Sequence, residues 1–330
     1  MRKLIGLVLT VIAATAVWTF WKHYRIEGLT TIKLMKRDES ESAGGSSYVS
    51  VDAPAVDRQG DSIRIASFNI QTFGSTKLSK PHVLAALARI VRQYDVIAIQ
   101  EIRAKEQDIL PRFIAKINEE GLSYDYVIGE RLGRTHSKEQ YAFVFNRASV
   151  EVDRNQMYTV SDPDDLLHRE PLVAWFRVRG PDPEAAFTFT LINIHTDPDE
   201  AGSEVAALRD VFDLVRNDGR GEDDVILLGD LNVDDQHLGP LAENANIEWT
   251  VSGTPTNTRG SAQYDNVLFD RLATTEFTGV SGVFDFLREF NLSMDEALEV
   301  SDHLPVWAEF SIYEGGAGGR VAERPRTSER

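Results

Sequence analysis

The run DVILLGDLN, residues 224–232, closes a short apolar strand with a glycine and then two polar residues two apart. Gly229 permits a sharp exit from the strand, and Asp230 and Asn232 can point to the same side of an extended backbone. A single Gly-Asp turn carries little weight. Four further runs share the design: SFNIQTFG (67–74) delivers Asn69, IAIQEI (97–102) Glu101, LINIHTDP (191–198) His195, and SDHLP (301–305) Asp302 and His303. Each reads as a strand that carries one functional group at its end. If the strands share a sheet edge, two imidazoles, several carboxylates and an amide converge there.

Outward from these runs, strands and helices interleave. SIRIASF, DVIAIQ, YDYVIG, QYAFVF, LVAWFRV, FTFTLINI, DVILLG, NVLF and VWAEF are short β-branched or aromatic-rich runs bounded by turn residues. After Ser79, Pro81 suits a first helical turn, and Val83, Leu84, Leu87, Ile90 and Val91 follow at helical spacing. Val205, Leu208, Val211, Phe212 and Val215 repeat that pattern. Strand runs outnumber helices, which favours two packed sheets with helices on their outer faces over one doubly wound sheet.

Glu101 ends an apolar strand, where a carboxylate must be solvated, paired or bound to a cation. Asn69 can add an oxygen to such a cation, or simply satisfy a turn. A lone strand histidine is more often structural than catalytic. Here Asp302 precedes His303, and Asp265 lies in QYDNVLF (263–269), able to reach the same edge. A carboxylate on the second imidazole nitrogen fixes the tautomer and raises basicity, as general acid–base work near neutral pH needs. The set suits metal-assisted attack by water on a phosphate ester.

The chain has 330 residues, 42% hydrophobic and 26% charged, enough for one large domain. A net charge of -17 argues against broad adhesion to nucleic acid or anionic lipid, although a turnover enzyme can grip such a substrate through a few arginines and a cation. The absence of cysteine removes thiol nucleophiles, thiolate zinc sites and disulfides. Residues 4–21 carry no charge and as a helix would span roughly 27 Å, so a single membrane anchor is expected over 1–37 together with its flank. Trp18, Trp21 and Tyr24 would then stand at one interface. The alternative is a cleaved signal peptide ending near Ala14 to Ala16, with secretion. Residues 38–61 read as a flexible linker, 62–312 as the folded domain and 313–330 as a disordered tail.

The motifs, in this order, resemble the endonuclease/exonuclease/phosphatase superfamily, and its deoxyribonuclease I-like members in particular. The resemblance spans about residues 62 to 312 and is most specific in SFNIQTFG, QEIR, YDYVIGERLGR, KEQYAFVF, HREP, IHTDP, GDLN, QYD and NLSMDEALEVSDHLPV. It implies a four-layered α/β sandwich, two packed mixed β-sheets flanked by helices, with the site along one edge. It further implies Glu101 as metal ligand with Asn69 beside it and Asp302 near the metal. His195 and His303 would be the catalytic pair, supported by Glu139 and Asp265 respectively. Asp230 and Asn232 would handle water and the scissile phosphate, Arg103 the minor groove and Arg169 a phosphate. Two departures stand out: no family disulfide can form, and Ser137 replaces a tyrosine that lies against DNA.

The expected function is therefore divalent-metal-dependent hydrolysis of DNA phosphodiesters, with Mg²⁺ or Mn²⁺, leaving 5′-phosphate ends. Ca²⁺ is a further expected cation without assigned ligands. DNA is the expected substrate, with RNA open, and the lipid bilayer the expected partner of the first segment. No protein partner is evident, so a monomer is expected. The placement is single-pass with the enzyme on the extracytoplasmic face, because an unrestrained nuclease inside would threaten the cell's own DNA. Alternatives are a phosphatase or sphingomyelinase-like phosphodiesterase of the same superfamily, and a non-catalytic surface binding module.

Overall fold

Ile63, Ile65, Ser67 and Asn69 alternate with Arg64, Ala66, Phe68 and Ile70 along one strand, β3 (Ser62–Phe73), and this period of two sorts the whole molecule into layers. The computed structural model describes residues 24–27, 33–36, 60–134 and 138–316. The chain divides into two units, 1–54 and 55–330. In the first, β1 (Tyr24–Glu27) and β2 (Lys33–Lys36) pair antiparallel.

In the second unit, β3 is joined by β4 (Val96–Ile102), β5 (Tyr124–Ile128), β6 (Gln140–Asn146), β13 (Phe277–Val283) and β14 (Val306–Ser311) in a six-stranded sheet of order β13-β14-β3-β4-β6-β5. A second six-stranded sheet contains β7 (Val150–Thr159), β8 (Leu172–Val178), β9 (Thr188–His195), β10 (Val225–Asp230), β11 (Ile247–Trp249) and β12 (Asp265–Asp270), in the order β11-β12-β10-β9-β8-β7. Each sheet is mixed: β3 with β4 and β9 with β10 are parallel, and the remaining pairs are antiparallel. A parallel pair needs a crossover. Between β3 and β4 it contains α1 (Ser75–Leu78) and α2 (Pro81–Val91), and between β9 and β10 it contains α4 (Ala201–Arg216), so both expected helices form. The helix α3 (Ile109–Ile117) was not expected.

The inner rows of the two sheets meet in one apolar core that includes Ile63, Ile65, Val96, Ala98, Phe143, Phe176, Phe189, Leu191, Ile226, Leu228, Val267, Phe269 and Phe310. The outer row of the first sheet packs on α2, α3, α6 (Phe286–Glu289) and α7 (Met294–Val300). That of the second packs on α4 and α5 (Pro240–Glu243). Two mixed sheets flanked by helices are the four layers expected of a deoxyribonuclease I-like sandwich.

The expected membrane anchor requires correction. No helix among the described residues is long and apolar enough to cross a membrane. The longest of them, α4, has 16 residues, and its exposed face carries Arg209, Asp210 and Asp213, whereas a span needs about 20 mostly apolar positions. The run 4–21 itself lies outside the described residues, and Tyr24, expected at a bilayer interface, belongs to strand β1. The single-pass anchor, the bilayer as partner and the extracytoplasmic placement are withdrawn with it. The signal-peptide alternative falls on the same undescribed residues, as do most of the linker and the tail. The described chain continues past 312 to 316, where Tyr313 bridges Ala186.

Candidate active site

The inner rows that are apolar in mid-sheet turn polar at one end. Along β3 the row runs Ile63, Ile65, Ser67, Asn69; along β4, Val96, Ala98, Gln100; along β9, Phe189, Leu191, Asn193, His195; along β10, Ile226, Leu228, Asp230; β12 runs the other way and starts with Asp265. Pairing aligns these ends, since Asp230 stands opposite both His195 and Asp265. The polar residues also join the sheets. Gln100 Nε2 donates to Ser67 Oγ (3.0 Å) and to Asn193 Oδ1 (2.7 Å), and Asn193 Nδ2 donates to the carbonyls of Ile99 and Ala142. Buried amides that donate across the seam in this way fix the register between the sheets.

Two imidazole–carboxylate pairs stand above this seam. His195 Nδ1 lies 2.7 Å from Glu139 Oε1, and His303 Nδ1 lies 2.9 Å from Asp265 Oδ2. The outward nitrogens converge: each Nε2 is 3.5 Å from the same Asp230 oxygen, Oδ2, so the two are no more than twice that distance apart. At 3.5 Å neither makes a strong hydrogen bond to Asp230, so both remain available to a third group. His195 and Asp230 are 5% and 1% exposed. Burial alone would lower the His195 pKa, but the charges of Glu139 and Asp230 outweigh it and hold it above the usual value. His303 is raised further by Asp265, Asp230 and Asp302, against the same burial cost. Burial pushes Asp265 up, opposed by the His303 charge and reinforced by that of Asp230.

Glu101 faces the same edge. Its Oε2 accepts from Thr72 N (2.8 Å) and lies 3.1 Å from Arg103 Nε, and its Oε1 accepts from Asn69 Nδ2 at 3.3 Å. Burial would raise its pKa, but His195, Arg103, the Thr72 amide and Asn69 together keep it below the ordinary value, so the carboxylate is ionised. Asn69 does not turn an oxygen outward: its Nδ2 also donates to Asp230 Oδ2 (2.9 Å), and its Oδ1 accepts from Gln71 N. It braces two carboxylates. Asp302 Oδ2 accepts from Gln71 Nε2 at 2.9 Å. Asn232 donates its backbone N–H to Asp230 Oδ1 (3.0 Å) and one amide hydrogen to Thr196 O (2.9 Å). Backbone strain gathers here too: Gln71, Thr72, Glu101 and Asn232 all have φ between 40° and 59°.

The structure thus brings together Asn69, Glu101, Glu139, His195, Asp230, Asn232, Asp265, Asp302 and His303. Arg103 borders the group and is partly exposed. Arg169 is placed differently from the expected phosphate contact. Its guanidinium is buried, 3.1 Å from Glu139 Oε1 and bonded to the carbonyls of His195 and Thr196, so it holds the Glu139–His195 pair from behind. Sequence reasoning missed several supports. Tyr141 Oη accepts from His195 N, Thr256 Oγ1 donates to Asp265 Oδ2, and Ser301 Oγ donates to Asn69 O while accepting from His303 N. The period-two row through Ser67 and Gln100 was a signal for the seam, but no local pattern marks Tyr141 or Thr256. Lys77 was also missed: its Nζ donates to the carbonyls of Ile70 and Val300, and burial lowers its pKa to about 8 despite the pull of Asp302 and Glu101.

The donors are suited to a cation. Ligand atoms of Asp230, Asp265 and His303 lie within 4.8 Å of one another. The oxygens of Glu101 and Asp302, with no thiolate available, match the preference of a hard divalent ion. Comparison with known proteins agrees with this geometry. The model of the "Endonuclease/Exonuclease/phosphatase family" matches residues 66–303. Rat deoxyribonuclease gamma (Rattus norvegicus) is 32% identical over 262 residues, covering 74% of this chain and 83% of that protein. Bovine deoxyribonuclease-1 (Bos taurus) is 32% identical over 262 residues, covering 75% and 92%. Among solved structures, a humanized zebrafish (D. rerio) TDP2 superposes with a TM-score of 0.54 at 15% identity over 76% of this chain and 100% of that one, a likeness of fold alone.

Proposed function

Because the chain belongs to the endonuclease/exonuclease/phosphatase family and its chemistry is of the phosphoesterase or nuclease type, we propose that it is a divalent-metal-dependent endonuclease that hydrolyses DNA phosphodiesters and leaves 5′-phosphate ends. The observation that carries this is the shared Asp230 oxygen: two carboxylate-backed imidazoles, one at the end of β9 and one in the turn before β14, turn their free nitrogens toward one point. In-line displacement at phosphorus needs one proton removed from water and one given to the leaving 3′ oxygen. The neutral imidazole accepts the first and the protonated one supplies the second. DNA is favoured over other esters by the two deoxyribonucleases among the relatives.

Asp230 stands where it can polarise the attacking water between the two rings. Asn232 has one amide hydrogen committed to Thr196, which leaves the other for a phosphoryl oxygen. Glu101 and Asp302 would hold Mg²⁺ or Mn²⁺, and Asn69 keeps Glu101 and Asp230 apart by donating to both. When bound, that ion supplies Lewis-acid stabilisation of the charge on the phosphoryl oxygens. Arg103, beside Glu101 and partly exposed, is the cation assigned to the minor groove.

Nicking of supercoiled plasmid tests the reading. The parent with Mg²⁺ should nick, a chelator should abolish nicking, and Glu101→Ala and His303→Ala should each reduce the rate by about 10²- to 10⁴-fold. Undiminished cleavage by His303→Ala would remove the role assigned to it. Faster turnover of RNA, sphingomyelin or a sugar phosphate than of DNA, measured alongside, would reassign the ester.

A further inference from the structure

At the far end of the same strands lies a second group of acids that the reaction does not use. Asp224 immediately precedes β10, whose other end carries Asp230, so roughly 20 Å of strand separates it from the imidazoles. Glu276 immediately precedes β13, and Glu314 follows β14, both from the other sheet. Backbone bonds bring the three together: Thr190 N donates to Asp224 O, Ser311 N to Glu276 O, and Glu314 N to Ala185 O. One carboxylate oxygen of each residue lies within 4.8 Å of the others.

Asp224 and Glu276 are 1% and 2% exposed, whereas Glu314 stands at the surface as a mouth. Their carboxylates are held from outside and left open within. Glu276 Oε1 accepts from Gly315 N at 2.6 Å, while its Oε2 is buried without a partner. Glu314 Oε2 accepts from Thr188 N at 3.1 Å. Asp224 is buried with the Thr274 hydroxyl beside it as its side-chain hydrogen-bond neighbour. Unpaired carboxylate oxygens that meet in a buried space repel one another unless a cation stands between them or they take up a proton, and burial raises all three acids.

We propose that Asp224, Glu276 and Glu314 form a divalent-cation site of the calcium type, distinct from the imidazole site, which clamps the two sheets and the C-terminal turn together. The donor set is all oxygen and drawn from three separate loops, which suits the larger and more tolerant ion. At a Ca–O distance of roughly 2.4 Å, two oxygens on one ion are separated by at most about 4.8 Å, and the triad already meets that bound. The Thr274 hydroxyl gives a fourth oxygen, and the mouth at Glu314 leaves room for water. The proposal holds whatever ester the enzyme cleaves.

Trp175 supplies a reporter, since its Nε1 donates to Glu222 Oε2 (2.8 Å) and Glu222 Oε1 accepts from Asp224 N. Terbium titrated into the full chain should give emission when the indole is excited, and Ca²⁺ should displace it. Ca²⁺ should also raise the Tm of the parent and of Glu101→Ala alike. The double variant Asp224→Asn with Glu276→Gln should lose the calcium-dependent rise, yet fold without calcium at least as well as the metal-free parent, because two buried charges are gone. Glu314→Gln, at the surface, should weaken terbium binding at least tenfold without disturbing folding. Trp175→Phe should lose the sensitised emission and keep the rise in Tm. An equal calcium-dependent rise in the double variant, or none in the parent, would overturn the site, and carboxyls held by shared protons would give the second result.

Discussion

His82 and His237 also have a carboxylate oxygen 2.5 Å from a ring nitrogen, yet their side chains are 30% and 71% exposed. What separates His195 and His303 is burial and the direction of the second nitrogen, because only in these two does Nε2 turn toward Asp230. The partner behind the ring should therefore set the pH at which the ring works. His195 is raised in the fold by Glu139, so its proton persists above the ordinary value near 6.5. Removing that charge in Glu139→Gln should move the loss of the imidazolium to lower pH. If His195 is the acid, the alkaline limb of the kcat/KM profile should then shift to lower pH in the variant, and if it is the base, the acidic limb should shift instead. Superimposable profiles would show that Glu139 does not act through the ring. A raised histidine stabilises the fold fully below its unfolded pKa and loses that contribution as pH climbs through the folded one, so the stability cost of Glu139→Gln should be greatest in acid. The pairing of each imidazole with its carboxylate was legible in the residues and the family resemblance. The inward turn of Arg169 and the amide orientation of Asn69 were not, since residue type does not specify which neighbour a long or two-sided polar group will choose.

The elements most visible in the sequence are those with both faces covered. β3, β4, β9 and β10 are interior strands, apolar on consecutive positions, and were expected nearly to their ends. The strands β7 and β13 were not expected. Both lie at a sheet edge, where VEVDRNQMYT and FTGVSGV keep several positions exposed and the alternation is diluted. The short helices α1, α5 and α6 have four residues each, too few for periodicity to show. Gly229 was expected to serve a sharp strand exit, and its physical reason proves to be steric. It pairs with Ile194 across the parallel β9–β10 contact, and a Cβ there would sit 1.9 Å from the Ile194 carbonyl oxygen. Backbone cannot yield as a side chain can. Gly229→Ala should therefore cost about 3 kcal/mol, the upper end of overpacking penalties, and displace Asp230 from the imidazoles. Denaturant unfolding should show a lower midpoint together with a loss of activity beyond the unfolded fraction. An unchanged midpoint would mean that the β9–β10 contact is looser than drawn.

For the molecule as a whole, the net charge of -17 has to be reconciled with a polyanionic substrate. Around the site few cations are free to meet it. Arg169 is buried on Glu139, Arg134 is engaged by Asp165 and Glu200, and Lys77 donates to two backbone carbonyls beneath the edge. Arg103 is partly exposed and lies on Glu101, and Lys105, Lys138 and Arg259 are exposed on the neighbouring loops. Binding through so small a footprint releases few counterions, and each phosphate neutralised contributes a slope of about −0.9 to the dependence of log affinity on log salt. With roughly two phosphates engaged, kcat/KM for DNA at saturating Mg²⁺ should fall only about tenfold between 50 and 200 mM monovalent salt. A loss of 10³-fold or more would require six or more phosphate contacts, more than Arg103, Lys105, Lys138 and Arg259 together can supply. The shallow slope has a mechanistic consequence: if electrostatic grip is weak, discrimination must come from the cation and the paired imidazoles at the scissile phosphate. Ground-state binding would then be loose, and substitutions at His195 or His303 should lower kcat while leaving KM nearly unchanged.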